Sequence, residues 1–414
     1  MSKPLVEIDM LMAELAALAQ ISEAEPPVVT RVVFGEADLR ARRYVKQLCT
    51  SAGLSLCEDA VGNTFARWQG SEPDLAPLAT GSHIDAIPNA GAYDGTVGVL
   101  GGLEAIRSLQ RAGFQPRRSI ELILFTSEEP TRFGIGCLGS RMMGGVLSAE
   151  LARQLRDKEG RSLDDLRTPA GFTGSLESVC LDPGAYQAFV ELHIEQGPLL
   201  ERSGTDLGIV THIAAPASLR IHIEGEGGHA GAMLMPDRHD ALAAAAELIL
   251  ALESAAKSTG VIDTVATVGV CEVFPGAVNS VPSRVLLETD IRDTDAGRRD
   301  GVLTSLKDAA AATAARRGVQ ISFETVNADP PAACDPQIIE IAETSAAAAG
   351  YSCQRMVSRA YHDSLFVARI APVTMIFIPC RAGVSHRPDE FASPSAIERG
   401  VDVLARTLQV LSVK

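Results

Sequence analysis

The stretch Thr80–Ile106, TGSHIDAIPNAGAYDGTVGVLGGLEAI, constrains this chain more than any other, because it reads as a strand, a turn-rich loop and an apolar helix with ionisable groups at the joints. His83 and Asp85 stand two positions apart. At strand period that spacing puts both side chains on one face, where a carboxylate can orient the imidazole or share its metal. Asp94 follows a loop of Pro, Asn and Gly and precedes the helix expected from Val97, at the positive end of the helix dipole. An isolated HxD is as readily a polar strand end, so its meaning depends on the rest of the chain.

That rest repeats the theme. Helices are expected over 6–20 and 36–53, strands over 64–68 and 78–83, and a helix over 97–112 that stops at Gly113. The apolar run 120–126 then brings Ser127, Glu128 and Glu129 to the carboxyl edge of a parallel sheet, where such folds place their chemistry. A polar helical region is expected over 148–166, and the strand 189–194 ends in His193, Glu195 and Gln196 ahead of the turn at Gly197 and Pro198. From Thr211 the pattern changes to strand 219–224, helix 241–256, strands 264–273 and 283–292, and helix 301–317. This order describes a small α+β unit of ferredoxin-like type. The α/β pattern resumes with helix 336–349, strand 373–379, a loop bearing His386 and a closing helix 395–411. The expected division is therefore a discontinuous α/β catalytic domain, 1–210 with 328–414, interrupted by an α+β domain over 211–327.

With 37 Lys and Arg against 52 Asp and Glu, the net charge of -15 argues against nucleic acid or an anionic membrane as partner. No apolar run reaches the roughly 20 residues of a spanning helix. The start MSKPLVEIDMLMAELAAL reads as a helix rather than a signal peptide. Eight scattered cysteines without a CxxC pair suit buried thiols in a reducing compartment, so the expectation is cytoplasmic.

The polar groups gathered at strand ends are His83, Asp94, Glu129, His193 and His386, all nitrogen or oxygen donors. Two divalent ions sharing Asp94 can each complete a shell from this set, holding a water and polarising the carbonyl it attacks. A separate carboxylate must take the water's proton. Glu128 and Glu129 leave a strand as neighbours and diverge, so one can bind metal while the other faces the water.

The ordered set HID, AGAYDG, FTSEEPTRFG, LHIEQGP, GGHAG and SHRPDEF resembles the hydantoinase/carbamoylase family of binuclear metal amidohydrolases, relatives of zinc aminopeptidases. The resemblance implies a zinc-aminopeptidase-like catalytic domain with the inserted domain as lid and homodimer interface. It implies one ion on His83, Asp94 and His193, the other on Asp94, Glu129 and His386, with Glu128 as base and Asp85 orienting His83. The ions would be Mn or Zn, with Co or Ni also compatible. His229 would reach the partner's active site to stabilise the oxyanion. Arg292 would pair with a substrate carboxylate. Asn279 and Gln196 would bond the ureido group or the carboxylate, with Tyr361 and His362 as further contacts. The lesser alternative on residue type alone is that Arg292 forms a surface ion pair within TDIRDTD and Asn279 a turn within PGAVNSVPS.

The segments IAAPASLR, GGHAGAMLMPDRHDA, SRAYHDSLF and FIPCRAGVSHRPDEF resemble the branch that hydrolyses ureidoglycolate in purine catabolism. Many carbamoylases carry Gly-Gln-Arg where Ala215–Ser218 here reads APAS, which turns the expectation toward a small hydroxylated ureido acid. Hydrolysis of N-carbamoyl-L-amino acids or of allantoate is the alternative within the class, and a retained fold serving as a small-molecule binding module is the alternative outside it.

Overall fold

The computed structural model describes residues 3–414, which form two compact units. The first comprises residues up to 211, 333–358 and 362–414; the second comprises 212–332 with 359–361. Thus the second unit runs five residues beyond the end expected at 327 and gains a separate tripeptide. The tripeptide belongs there because Arg359 pairs with Asp263 at 2.5 Å and Tyr361 lies beneath the Arg292 guanidinium, 5.3 Å from the ring centroid.

A nine-stranded mixed sheet forms the centre of the first unit. Its middle is four parallel strands in the order Val373–Ile378, Ala188–Ile194, Leu78–His83 and Ile120–Phe125. Every residue of these four is buried, the signature of strands covered on both faces. The register sets His83 beside Phe125 and His193 beside Phe377, so the four carboxyl ends open on one rim. Sequence periodicity leads one to expect a parallel sheet, whereas the flanks are antiparallel: Thr64–Trp68 and Ser55–Glu58 on one side, Leu207–Ile213 on the other. Short edge strands such as Ser55–Glu58 are exposed throughout, so no apolar pattern marks them.

The helix Thr96–Arg111 lies directly on the sheet. A Cβ at Gly98 would come within 2.5 Å of the Leu192 carbonyl oxygen and 2.6 Å of Ser82 Cβ, and one at Gly102 within 2.8 Å of Leu122 Cδ1. Glycine in mid-helix costs about 1 kcal/mol relative to alanine. Here it lets the helix rest on the three strands that end in His83, His193 and the Glu128–Glu129 pair. The polar stretch 148–166 is not one helix. It forms two single turns, Ala149–Gln154 and Leu163–Arg167, each opened by a serine cap, with an Arg156–Ser162 bridge between them.

The second unit has a four-stranded antiparallel sheet ordered Val265–Phe274, Arg284–Asp293, Ala215–Glu224, Gln320–Ala328, the ferredoxin-like arrangement of strand, helix, two strands, helix, strand. Helices Ala241–Ser258 and Ala296–Arg317 supply Leu248, Leu252, Val302 and Leu306 to a core with Leu219, Ile221, Leu287 and Ile291. Among the described residues no helix is long and apolar enough to cross a membrane, and all eight cysteines are free thiols.

Candidate metal centre

Each parallel strand delivers one piece of the rim. His83 closes its strand, and its Nδ1 meets the Asp85 backbone carbonyl at 3.0 Å, leaving Nε2 aimed at Asp94 Oδ1, 3.5 Å away. His193 repeats the device: Nδ1 on the Ile194 carbonyl at 2.9 Å, Nε2 3.2 Å from the same Oδ1. A backbone acceptor on one ring nitrogen fixes the tautomer that presents a lone pair at the other. Across Asp94, His386 Nε2 lies 3.2 Å from Oδ2 and 3.3 Å from Glu129 Oε1.

Asp94 is therefore shared by two groups of three ligands, His83–Asp94–His193 and Asp94–Glu129–His386, within each of which the ligand atoms lie inside 4.8 Å of one another. Hard oxygen and imidazole donors at such spacing fit divalent cations. The charge balance agrees. Burial alone would raise the Asp94 carboxyl, yet His193, His386 and His83 hold it well below the usual range. His386 is pushed up to about 11 by its hydrogen bonds to Asp94 and Glu129. Such a pocket draws positive charge, which two cations would supply.

Glu128 departs from its neighbour as divergence at a strand end requires. Its Oε2 lies 3.7 Å from His83 Nε2, whereas Glu129 faces His386. Burial pushes the Glu128 carboxyl well above its ordinary range, with Glu129, Asp363 and Asp94 adding to the effect against His83. The Cys137 thiol lies 3.4 Å from Glu128 Oε1, and its own backbone sits at φ +55°.

Asp85 is placed differently from the simple HxD picture. The imidazole's hydrogen-bond partner is the residue's backbone oxygen, and the nearest carboxylate oxygen is 3.7 Å from Nδ1. The carboxylate instead accepts the backbone N–H groups of Glu128 at 3.2 Å and Glu129 at 3.0 Å. One short segment thus orients an imidazole with its main chain and the acidic pair with its side chain. Beneath it, the buried Arg31 guanidinium donates to the Ile84 carbonyl at 2.6 Å.

Gln196, at φ +53°, donates from Nε2 to Asp94 Oδ2 at 2.6 Å, which leaves Oε1 buried with no hydrogen-bond partner. His362 is buried with its ring centroid 4.4 Å from that of His193. Glu191, His193 and His362 form a further three-ligand group, but Glu191 is committed to Ser82 Oγ at 2.8 Å and Ser364 Oγ at 2.5 Å. Buried Asp363 accepts from Ser140 Oγ at 2.5 Å, and burial raises its carboxyl to about 8.

The remaining expected contacts lie in the second unit. His229 and Asn279 are exposed and come together at a two-residue ladder in which His229 pairs with Ser280 and the Asn279 carbonyl accepts from Ala230. Arg292 already forks onto Asp290 of its own strand at 2.8 and 3.0 Å. Cys137, Asp363, Ser385 and Glu390 were not singled out as site residues from the sequence. Asp363 lies in SRAYHDSLF and the last two in SHRPDEF, motifs that could have drawn attention to them, whereas Cys137 lies in none.

A fold of this kind, with His, Asp and Glu groups at the carboxyl rim that could hold metal, is that of a family of metal-dependent hydrolases. The chain belongs to the peptidase family M20/M25/M40, whose model matches residues 79–410, and within it to the hydantoinase/carbamoylase family. It is 52% identical over 416 residues to a ureidoglycolate hydrolase of Oryza sativa subsp. japonica, a match covering 99% of this chain and 86% of the relative. The crystal structure of AtUAH in complex with glyoxylate superposes with a TM-score of 0.92 at 51% identity, covering 100% of this chain and 99% of that one. A hydantoinase/carbamoylase family amidase from Burkholderia multivorans superposes with a TM-score of 0.88 at 32% identity, covering 100% and 99%.

Proposed function

We propose that this chain is a binuclear metal amidohydrolase that cleaves the ureido C–N bond of ureidoglycolate, yielding glyoxylate, ammonia and carbon dioxide. The observation that carries the reading is Asp94, whose two oxygens face two separate ligand sets while Glu128 stands beside one of them. The substrate rests on likeness to the rice ureidoglycolate hydrolase over nearly the whole chain. Manganese or zinc suits the donor set.

His83, Asp94 and His193 would hold one ion and Asp94, Glu129 and His386 the other, and the bound pair would supply water activation and polarisation of the carbamoyl carbonyl. Glu128 takes the proton of that water and passes it to the leaving nitrogen, a role favoured by a carboxyl whose affinity for protons burial has raised. His83 and His193 stay fixed through their Nδ1 contacts, and Asp85 keeps Glu128 and Glu129 in place through their backbone N–H groups. Gln196 Oε1, its orientation set by the Nε2 anchor on Asp94, accepts a ureido N–H. The second unit acts as lid and homodimer interface. There Arg292 exchanges Asp290 for the substrate carboxylate, Asn279 and Tyr361 add contacts, and His229 of the partner subunit stabilises the oxyanion, while His362 of the first unit is a further substrate contact. The site of action is the cytoplasm, in keeping with free thiols throughout the described chain.

Purified, manganese-loaded protein is expected to release ammonia from (S)-ureidoglycolate in preference to N-carbamoyl-L-amino acids and allantoate. Turnover of one of those instead, with none of ureidoglycolate, overturns the substrate. Glu128→Gln should keep both ions and lose roughly 100- to 10,000-fold in turnover. A fully active variant overturns the base.

A further inference from the structure

Glu390 belongs to neither ligand set, yet its carboxylate is built into the ground between them. It is 5% exposed. Its Oε1 accepts the backbone N–H of Tyr93 at 2.7 Å and that of Asp94 at 3.0 Å. Its Oε2 lies 2.9 Å from Ser385 Oγ, and that hydroxyl is also 2.6 Å from Asp94 Oδ2. The approach is tight: a Cβ at Gly91 would come within 2.3 Å of Glu390 Cβ and 2.7 Å of Oε1, so the Asp94 loop admits this carboxylate only because residue 91 lacks a side chain.

Two loops far apart in sequence are fastened here. One enters Asp94; the other carries Ser385 and His386 and turns back through a Glu390 N–H bond to the Arg387 carbonyl at 3.1 Å. Asp94 Oδ2 is the oxygen nearest His386, and Oδ1 is the one nearest His83 and His193. The Ser385 hydroxyl and Gln196 Nε2, each 2.6 Å from Oδ2, therefore hold the oxygen that faces His386, and of the two only the hydroxyl is tied to Glu390.

The geometry points to Glu390 as a positioning residue that, through Ser385 and the Tyr93–Asp94 backbone, aims Asp94 Oδ2 at the ion shared with Glu129 and His386. This inference rests on the two-ion reading above. Groups that orient metal ligands typically contribute 10- to 100-fold in affinity, and the same weakening is expected here, confined to one of the two sites.

The test is metal stoichiometry and manganese titration on the whole protein after dialysis, with circular dichroism and the melting temperature of the metal-free protein as controls. Wild type is expected to hold two ions per chain and His386→Ala one. If wild type holds fewer, or His386→Ala still holds two, the two-ion reading fails and not this inference. Glu390→Ala should fall to one tightly held ion with its fold intact. Glu390→Gln should restore two, since an amide can accept from the two backbone N–H groups and donate to Ser385 Oγ. Ser385→Ala, which leaves those backbone bonds untouched, should weaken the same site while the melting temperature of the metal-free protein stays unchanged, and it carries the test if Glu390→Ala does not fold. The double variant Glu390→Ala/His386→Ala should hold the same single ion as either parent. Two ions at wild-type affinity in the folded Glu390→Ala and Ser385→Ala proteins, or an empty double variant, overturns the proposal.

Discussion

At φ +65°, Gly95 occupies a backbone region that side-chain-bearing residues rarely adopt, and an added Cβ would come within 2.5 Å of His83 Nε2, the nitrogen that faces Asp94. Gly95→Ala should therefore cost about 1 kcal/mol or more of stability in urea unfolding. It should also weaken manganese binding at least tenfold, because the new methyl displaces a ligand atom and not a surface group. Wild-type manganese affinity in the folded variant would show that His83 does not ligate. Residue types and chain position were enough to nominate His83, Asp94, Glu129, His193 and His386 from the sequence, since each ends a strand, precedes a helix or lies in a loop that follows a strand. Asp85's division of labour was not legible, because its main-chain oxygen meets His83 while its carboxylate meets backbone N–H groups 43 and 44 positions away, and sequence spacing shows neither choice. Glu390 was hidden for a related reason: its partners at 93 and 94 are backbone groups nearly 300 positions away, and sequence spacing carries no trace of them.

Elements differ in how loudly they announce themselves. The four parallel strands are apolar runs because both faces are covered, and the helix Thr96–Arg111 shows its apolar face and its glycines plainly. The edge strand Ser55–Glu58 is short and exposed, so it has no apolar pattern, and the two helical turns that begin at Ala149 and Leu163 are short and polar, decided by the caps Ser148 and Ser162 instead of periodicity. Two glycines in helix interiors separate packing from propensity. At Gly98 a methyl would strike the Leu192 carbonyl and Ser82 Cβ, atoms of the sheet that have little room to move, so Gly98→Ala should lose about 1–3 kcal/mol and lift the helix from the strands that hold His83 and His193. At Gly301, within Ala296–Arg317, nothing lies within 4 Å, and Gly301→Ala should gain about 0.5–1 kcal/mol. Chemical denaturation of the pair checks both signs, and turnover should fall only in the first.

For the molecule as a whole, the rim is where five side chains that could hold metal, from residues 83 to 386, converge, so ions bound there would cross-link every parallel strand of the first unit. Ligands that bind only the folded state stabilise it by mass action, about 2.7 kcal/mol for each site at a hundredfold excess over Kd. The second unit has its own apolar core and contributes no member of these ligand groups. Chelation should therefore destabilise the first unit selectively. The chain offers a clean reporter, since its single tryptophan, Trp68, sits in the strand Thr64–Trp68 of the first unit's sheet. Tryptophan fluorescence should show a melting transition several degrees lower after metal removal, restored by manganese in proportion to occupancy. Asp94→Asn, which weakens both sites at once, should melt at the chelated temperature and respond little to added metal. If Trp68 reports the same midpoint with and without metal, the convergent side chains are not bearing ions, and the hydrolytic reading loses its centre.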